Sequence, residues 1–368
     1  MFDSATGQIN PKPLQVINSE NPSWLTLSKD QRHLFVVNEN GPGQTDPVGR
    51  VSSFAIDPKS HELSLINQVQ SLGNEPTHSS LSADSRHLFV SNYSVSEDPG
   101  GTLAVLPVTA DGKLQPVVQM SSHPSSRVNA ERQMSAHVHS TVSSPEGKYV
   151  FSNDLGADKV FVYRFDAKAN PELPLTPGTP AFVQLPPGSG PRHLLFSADG
   201  KHAWLTMEMS AQVAVFDYRD GKLEQTQMVD LAAGQPVSDK AAAALHASAD
   251  GKFLYVCNYA HGQSVAGVCR RPGNGASQGA RTQGSRGRSS FVAFSLIRAA
   301  SSPLISNQKS NQIVVVERDA KTGLLGKTVR QPLLMDAPLD PQSILSRDRQ
   351  QAFAGGPCIL LSTYADMW

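Results

Sequence analysis

Three side chains have the types suited to proton transfer and to holding an anion: His139, Arg192 and Glu208. A neutral imidazole can take a proton from water or hand one to a leaving alkoxide. An arginine fork can grip a carboxylate or phosphate through two bonds and stabilise an oxyanion. A carboxylate beside them can orient the imidazole or activate water. His137, Thr77, Glu39 and Asp154 stand as candidate substrate contacts. The plainer alternative is that Arg192 and Glu208 only pair with each other inside one structural unit. Nothing in the spacing of Glu39, Asp154 and Glu208 demands a metal. The chain has no glycine-rich phosphate loop, nucleophile elbow or HExxH motif, so chemistry without a metal or other cofactor is expected.

These residues are singled out by an internal comparison. A strand–turn–strand unit recurs as NPSWLTLSKDQRHLFVVNE (21–39), EPTHSSLSADSRHLFVSNY (75–93), HVHSTVSSPEGKYVFSNDL (137–155) and GPRHLLFSADGKHAWLTME (190–208), and more loosely as AAAALHASADGKFLYVCNY (241–259). Its turn serines, Ser28, Ser82, Ser144, Ser197 and Ser248, are separated by 54, 62, 53 and 51 residues. That period is too long for a helical-repeat array and suits a propeller blade of four strands. Residues repeated at one position of the unit are scaffold. Five positions after the serine stand His33, His87, Tyr149, His202 and Phe253, read as a partly buried structural position. Ten after it stand Asn38, Asn92, Asp154, Met207 and Asn258, mostly polar strand ends suited to bonding local backbone.

Positions that vary are free to be a site. Five before the serine stand Ser23, Thr77, His139, Arg192 and Ala243: hydroxyls, an imidazole, a guanidinium and a methyl. In a propeller the first strand of each blade lines the central channel, so these side chains are expected to converge on one pocket. His137 shares a strand face with His139. Eleven after the serine stand Glu39, Tyr93, Leu155, Glu208 and Tyr259, among which the two glutamates stand out.

Between the units lies a second motif, a strand entering a hairpin: FDSATGQI (2–9), FAIDPKSHEL (54–63), LPVTADGKL (106–114), FDAKANPEL (165–173), FDYRDGKL (216–223) and VERDAKTGLL (316–325). The Asp, Gly and Asn clusters are β-turn chemistry. The gap between 223 and 316 leaves room for one more copy, so an all-β, seven-bladed propeller of four-stranded antiparallel blades is predicted, with one blade disrupted. The propeller is expected to span 1–338 as a single domain, followed by an irregular tail over 339–368. The irregular segment, about 261–306 in the sixth blade, lies within a stretch from Gly251 to Val316 that has no acidic residue. Read one base later, with synonymous codons chosen freely, Gln263 to Gln283 can encode NQSLVFAVDPATGRLKELERR, which contains the missing hairpin motif. The chain also starts inside a blade.

Bulk composition excludes several classes. Lysine plus arginine equals aspartate plus glutamate, 32 each, so no global field draws the chain to nucleic acid or membrane. No run of about 18 apolar residues is present, and the first residues lack the apolar core of an export signal. Three cysteines give neither a disulfide framework nor metal spacing. A monomer is expected, located in the cytoplasm, or in the periplasm if an export signal has been lost.

The repeated units, the HVHS strand, the GPRH…SADGKHAWLTME unit and the NQKSNQIVVVERDAKTGLL run resemble the seven-bladed propeller lactonase family over about 1–260 and 303–338. Bacterial 6-phosphogluconolactonases and a fungal carboxy-cis,cis-muconate cyclase belong to it. The resemblance implies metal-free hydrolysis of 6-phospho-D-glucono-1,5-lactone, a phosphorylated sugar lactone, in the pentose phosphate pathway. It places the family's channel histidine on His139, its arginine on Arg192 and its glutamate on Glu208. A further family arginine, in an HPRE-like strand of the sixth unit, has no counterpart here. A related lactonase or cycloisomerase acting on another organic acid, and a ligand-binding propeller without catalysis, are the alternatives.

Overall fold

The computed structural model describes residues 13–95, 100–233, 241–248, 250–258 and 316–326 in full, and further strands by their backbone course. The strands β1 (Phe2–Asp3) and β2 (Gln8–Ile9) pair as a hairpin. Six antiparallel sheets follow in chain order. The first comprises β3 (Pro22–Leu27), β4 (His33–Asn38), β5 (Arg50–Ile56) and β6 (Leu63–Gln70). The second comprises β7 (Pro76–Leu81), β8 (His87–Asn92), β9 (Thr102–Pro107) and β10 (Gln119–Ser122). The third comprises β11 (Val138–Ser143), β12 (Tyr149–Asp154), β13 (Lys159–Phe165) and β14 (Leu175–Gln184). The fourth comprises β15 (Pro191–Phe196), β16 (His202–Met207), β17 (Gln212–Arg219) and β18 (Lys222–Asp230).

The fifth sheet comprises β19 (Ala242–Ala247), β20 (Phe253–Asn258), β21 (Ser264–Arg270) and β22 (Ser277–Gly284). The sixth comprises β23 (Phe291–Leu296), β24 (Pro303–Asn307), β25 (Gln312–Arg318) and β26 (Leu325–Thr328), with β27 (Leu333–Leu334) also on β25. The strands described in the segment about 261–306 are thus the outer two of the fifth sheet, β21 and β22, and the first two of the sixth, β23 and β24. The side chains of that segment and the tail from 339 onward lie outside the described residues.

Each sheet is a blade, and each predicted hairpin motif after the first lies between its third and fourth strands. The repeated serine closes the turn that follows it. Its Oγ accepts the N–H five residues on, at 2.9 to 3.1 Å in all five copies. Ser28, Ser82, Ser197 and Ser248 also donate to the aspartate two positions later. The polar strand ends behave as expected, Asn38 bonding the Glu20 carbonyl and Asn258 the Ala241 N–H.

In the second strand of the unit Leu34 to Val37, and all six residues of β16, are buried. A blade is covered on both faces by its neighbours, so its middle strands read as continuous apolar runs. The core accordingly lies between blades: Phe151, Val160 and Val162 of the third pack against Leu194, Leu205 and Phe216 of the fourth. Trp204 and Val215 pack in turn on Leu245, Leu254 and Val256 of the fifth.

The scaffold reading of the position five after the serine has a specific cause: it meets the next blade. Tyr149 lies against Gly221, whose φ of +79° and closeness to the ring leave no room for a Cβ. Phe253 faces Gly323 and His33 faces Gly112 in the same way, while His87 packs on Phe165. His202 instead bonds Asp217 of its own blade at 2.9 Å.

Candidate active site

The first strands β3, β7, β11, β15, β19 and β23 stand side by side around the centre. Hydroxyls staple them together: Ser23 Oγ donates to the Pro76 carbonyl, Thr77 Oγ1 to that of His139 and Ser140 Oγ to that of Arg192. Every one of these strands carries a register shift at the variable position, between Pro22 and Trp24, Pro76 and His78, Val138 and Ser140, Pro191 and Leu194, Ala242 and Leu245, and Phe291 and Ala293. Such a bulge re-aims side chains that strict alternation would send to opposite faces. Residues adjacent in sequence can therefore both reach the axis.

Four blades contribute rings that meet there. Trp24 packs on His78 with centroids 4.3 Å apart and on His193, from the fourth blade, at 5.2 Å. His193 lies 5.6 Å from His78 and 5.2 Å from His139. Arg192 Nη1 is 3.4 Å from both ring nitrogens of His193.

Beside these rings is Glu208, only 2% exposed. Its Oε2 accepts from Arg192 Nε at 3.0 Å and its Oε1 from Arg132 Nη2 at 2.7 Å. The pairing of Arg192 with Glu208 is thus real, and a second guanidinium and an imidazole join it: His139 Nε2 lies 3.7 Å from Glu208 Oε2. Burial pushes the Glu208 carboxyl up, but Arg132 and Arg192 outweigh it and hold the pKa at about 2. Burial, and then the charge of Arg192, drive His139 well below the ordinary imidazole value, with Glu208 pulling weakly the other way. His139 is therefore neutral at pH 7, and its contact with Glu208 is that of a dipole with a charge. Its Nδ1 is buried and has no hydrogen-bond partner among the described residues. Burial and Arg192 likewise lower His193, and bring His78 to about 3.

The remaining sequence candidates divide. His137 is buried; its Nδ1 donates to the Ser94 carbonyl at 2.6 Å and its ring stacks on Tyr93 at 4.7 Å. Thr77 spends its hydroxyl on the β11 backbone, positioning the strand that holds His139. Glu39, at the β4 position equivalent to Glu208, is half-buried, and its N–H donates to the Asn21 carbonyl. Asp154, fully buried, is held as an internal support: it accepts the N–H groups of His137 and Ala157 and pairs with His123 Nδ1 at 2.8 Å. That geometry gives it a place beneath the site, anchoring the entry to β11.

The structure adds residues that sequence reasoning passed over. Tyr93 occupies the repeat position of Glu208, and its hydroxyl accepts from Arg132 Nη2 at 3.1 Å. Arg132 lies outside the repeat, on the connection between β10 and β11. The signal for it was the interval of 62 residues between Ser82 and Ser144, the longest of the series. Trp24, His78 and His193 each follow a variable position by one residue and come inward because of the bulge.

Such a cluster, with a neutral imidazole beside a carboxylate and two guanidiniums at the centre of a propeller, suits attack on a small carbonyl compound. The family model for lactonases of the seven-bladed β-propeller type matches residues 1–339. The chain belongs to that family, and is a hydrolase of lactone esters. Among its relatives, the 6-phosphogluconolactonase of Formosa agariphila is 31% identical over 333 residues, 89% of this chain and 90% of that protein. That of Bacillus subtilis is 30% identical over 319 residues, 85% of each. Among solved structures, the periplasmic gluconolactonase of Pseudomonas aeruginosa superposes with a TM-score of 0.85 at 49% identity, over 90% of this chain and 91% of that one.

Proposed function

We propose that the chain hydrolyses 6-phospho-D-glucono-1,5-lactone to 6-phosphogluconate, a step of the pentose phosphate pathway, with His139, Arg192 and Glu208 carrying the reaction. The observation that supports this most is the buried, neutral His139, flanked by a guanidinium, whose Nδ1 has no hydrogen-bond partner among the described residues. In this reading Nδ1 accepts a proton from the attacking water as its oxygen bonds to the lactone carbonyl carbon. Arg192 stabilises the oxyanion that forms. Negative charge on the substrate offsets the Arg192 charge that depresses His139, so the imidazole gains proton affinity as the intermediate develops. The same proton then passes to the ring oxygen as the carbon–oxygen bond breaks, leaving the open-chain acid. Glu208 orients Arg192 and, at a pKa of about 2, remains ionised throughout.

One observation favours a second substrate, plain glucono-1,5-lactone: the 49% identical Pseudomonas aeruginosa structure is a periplasmic gluconolactonase. The location of this chain goes with that choice, cytoplasmic for the phosphorylated lactone and periplasmic for the plain one. The test is hydrolysis of both lactones measured against the spontaneous rate. Acceleration by the native chain is expected, with His139→Ala and Arg192→Ala each lowering kcat/KM by about 10²-fold or more while the fold is kept. Full activity in both variants would overturn the assignment; the ratio of the two substrates decides between the readings.

A further inference from the structure

We infer that Arg132, a residue outside the repeat, is the specificity residue that takes the phosphate of the substrate; this rests on the reading of the site as one for a phosphorylated sugar lactone. Arg132 Nη2 is engaged twice, with Glu208 Oε1 at 2.7 Å and the Tyr93 hydroxyl at 3.1 Å. Both described side-chain bonds use that one nitrogen, and among the described residues neither Nε nor Nη1 has a bond of its own. The side chain is 35% exposed, against 3% for Glu208, 6% for His139 and 8% for Arg192. Arg132 is thus the one member of the charged cluster with a solvent-facing edge. A guanidinium presents five N–H donors in a fixed fork, and a phosphate can take two of them at once.

The charge count agrees. Two guanidiniums share a single carboxylate, and the neighbouring imidazoles His78, His139 and His193 are neutral at pH 7. Among the described residues one positive charge is left over, and it lies nearest solvent on Arg132.

The cation is also held in place. Asn129 Oδ1 accepts the N–H groups of Glu131 and Arg132, and Arg127 N–H donates to the Gln133 carbonyl. Gln133, fully buried, donates to the Leu155 carbonyl and to Asp158 Oδ1, both at 2.8 Å. The Tyr93 ring beneath is fixed by its stack on His137. A donor pinned on both sides loses little entropy on binding, which is how a surface arginine becomes a selective one.

The test measures binding separately from turnover. Calorimetric affinities of 6-phosphogluconate and gluconate, which differ only in the phosphate, are compared in the native chain, Arg132→Gln and Arg132→Lys. The native chain is expected to bind the phosphorylated acid at least about 10-fold more tightly, a gap equal to about 1.4 kcal/mol. Arg132→Gln should abolish the gap, and Arg132→Lys, which keeps the charge and guards against a folding defect, should keep part of it. In turnover, Arg132→Gln should raise KM for the phosphorylated lactone about 10-fold and change kcat/KM for the plain lactone much less. Equal losses on both substrates, or no phosphate preference in the native chain, would overturn the role of Arg132 and leave the lactonase reading standing. A native chain that binds with the preference but opens neither lactone would instead sink the proposed reaction.

Discussion

At the scale of residues, the central fact is that the imidazole best placed to handle protons is depressed. Burial and Arg192 act on His139 together. A general base must be neutral, and a ring whose pKa lies well below 6.5 stays neutral as the solution is acidified through that value. The acid limb of kcat/KM is therefore expected well below the position of an ordinary histidine, about pH 6.5. A profile for the native chain across mildly acid to neutral pH, with circular dichroism confirming the fold at each point, checks this; a limb at the ordinary position would remove His139 from the proton path. That His139, Arg192 and Glu208 come together was legible in the sequence, because the repeat marked the positions at which residue type changes from blade to blade. Arg132 was not, since no sister copy exists against which to compare an inserted loop. Nor was the support role of Asp154, which depends on His123, 31 residues away.

At the scale of elements, the serine-closed turn and the blade-to-blade hairpin contact are the repeated devices. Ser197→Ala removes an acceptor for the His202 N–H and a donor to Asp199. A loss of about 1 kcal/mol is expected, with a similar cost for Ser82→Ala and no change in kcat/KM for either, measured by urea unfolding and steady-state assay. Gly221→Ala should cost more, about 2 kcal/mol, because the new methyl meets the Tyr149 ring at a left-handed φ. An unchanged midpoint would show that the Tyr149 ring gives way freely. The hairpin motifs told which strands pair, since Asp-Gly and Asn-rich turns encode chain reversal locally. The bulge in every first strand was invisible, because an extra residue in one strand is defined only by the partner across the ladder.

At the scale of the whole molecule, the ring brings imidazoles from separate blades into a dry centre. His78 is lowered to about 3 and His246, from β19, to about 4, both chiefly by burial. In the unfolded chain a histidine takes up its proton near pH 6.5, so below that value the unfolded state binds protons that the folded state refuses. Their contribution is thus intact above about pH 6.5 and drains away as the pH falls toward about 4 and then 3, at about 1.4 kcal/mol per group and pH unit. The urea midpoint should fall steadily below pH 6.5, and His78→Asn should make the decline shallower. A midpoint independent of pH from 6.5 to 4 would contradict the burial of these rings.

The sequence by itself determined the all-β architecture, the blade period, the hairpins and the variable positions. All of these are encoded by turn chemistry and by repetition along the chain. Only the tertiary structure decided that Trp24, His78, His139 and His193, drawn from four blades, meet on one axis. It also decided that Glu208 is shared by two arginines 60 residues apart in the chain. The physical reason is that closure of the ring, with its bulged inner strands, sets distances between blades. Local propensity carries no information about which side chains then share a single buried carboxylate.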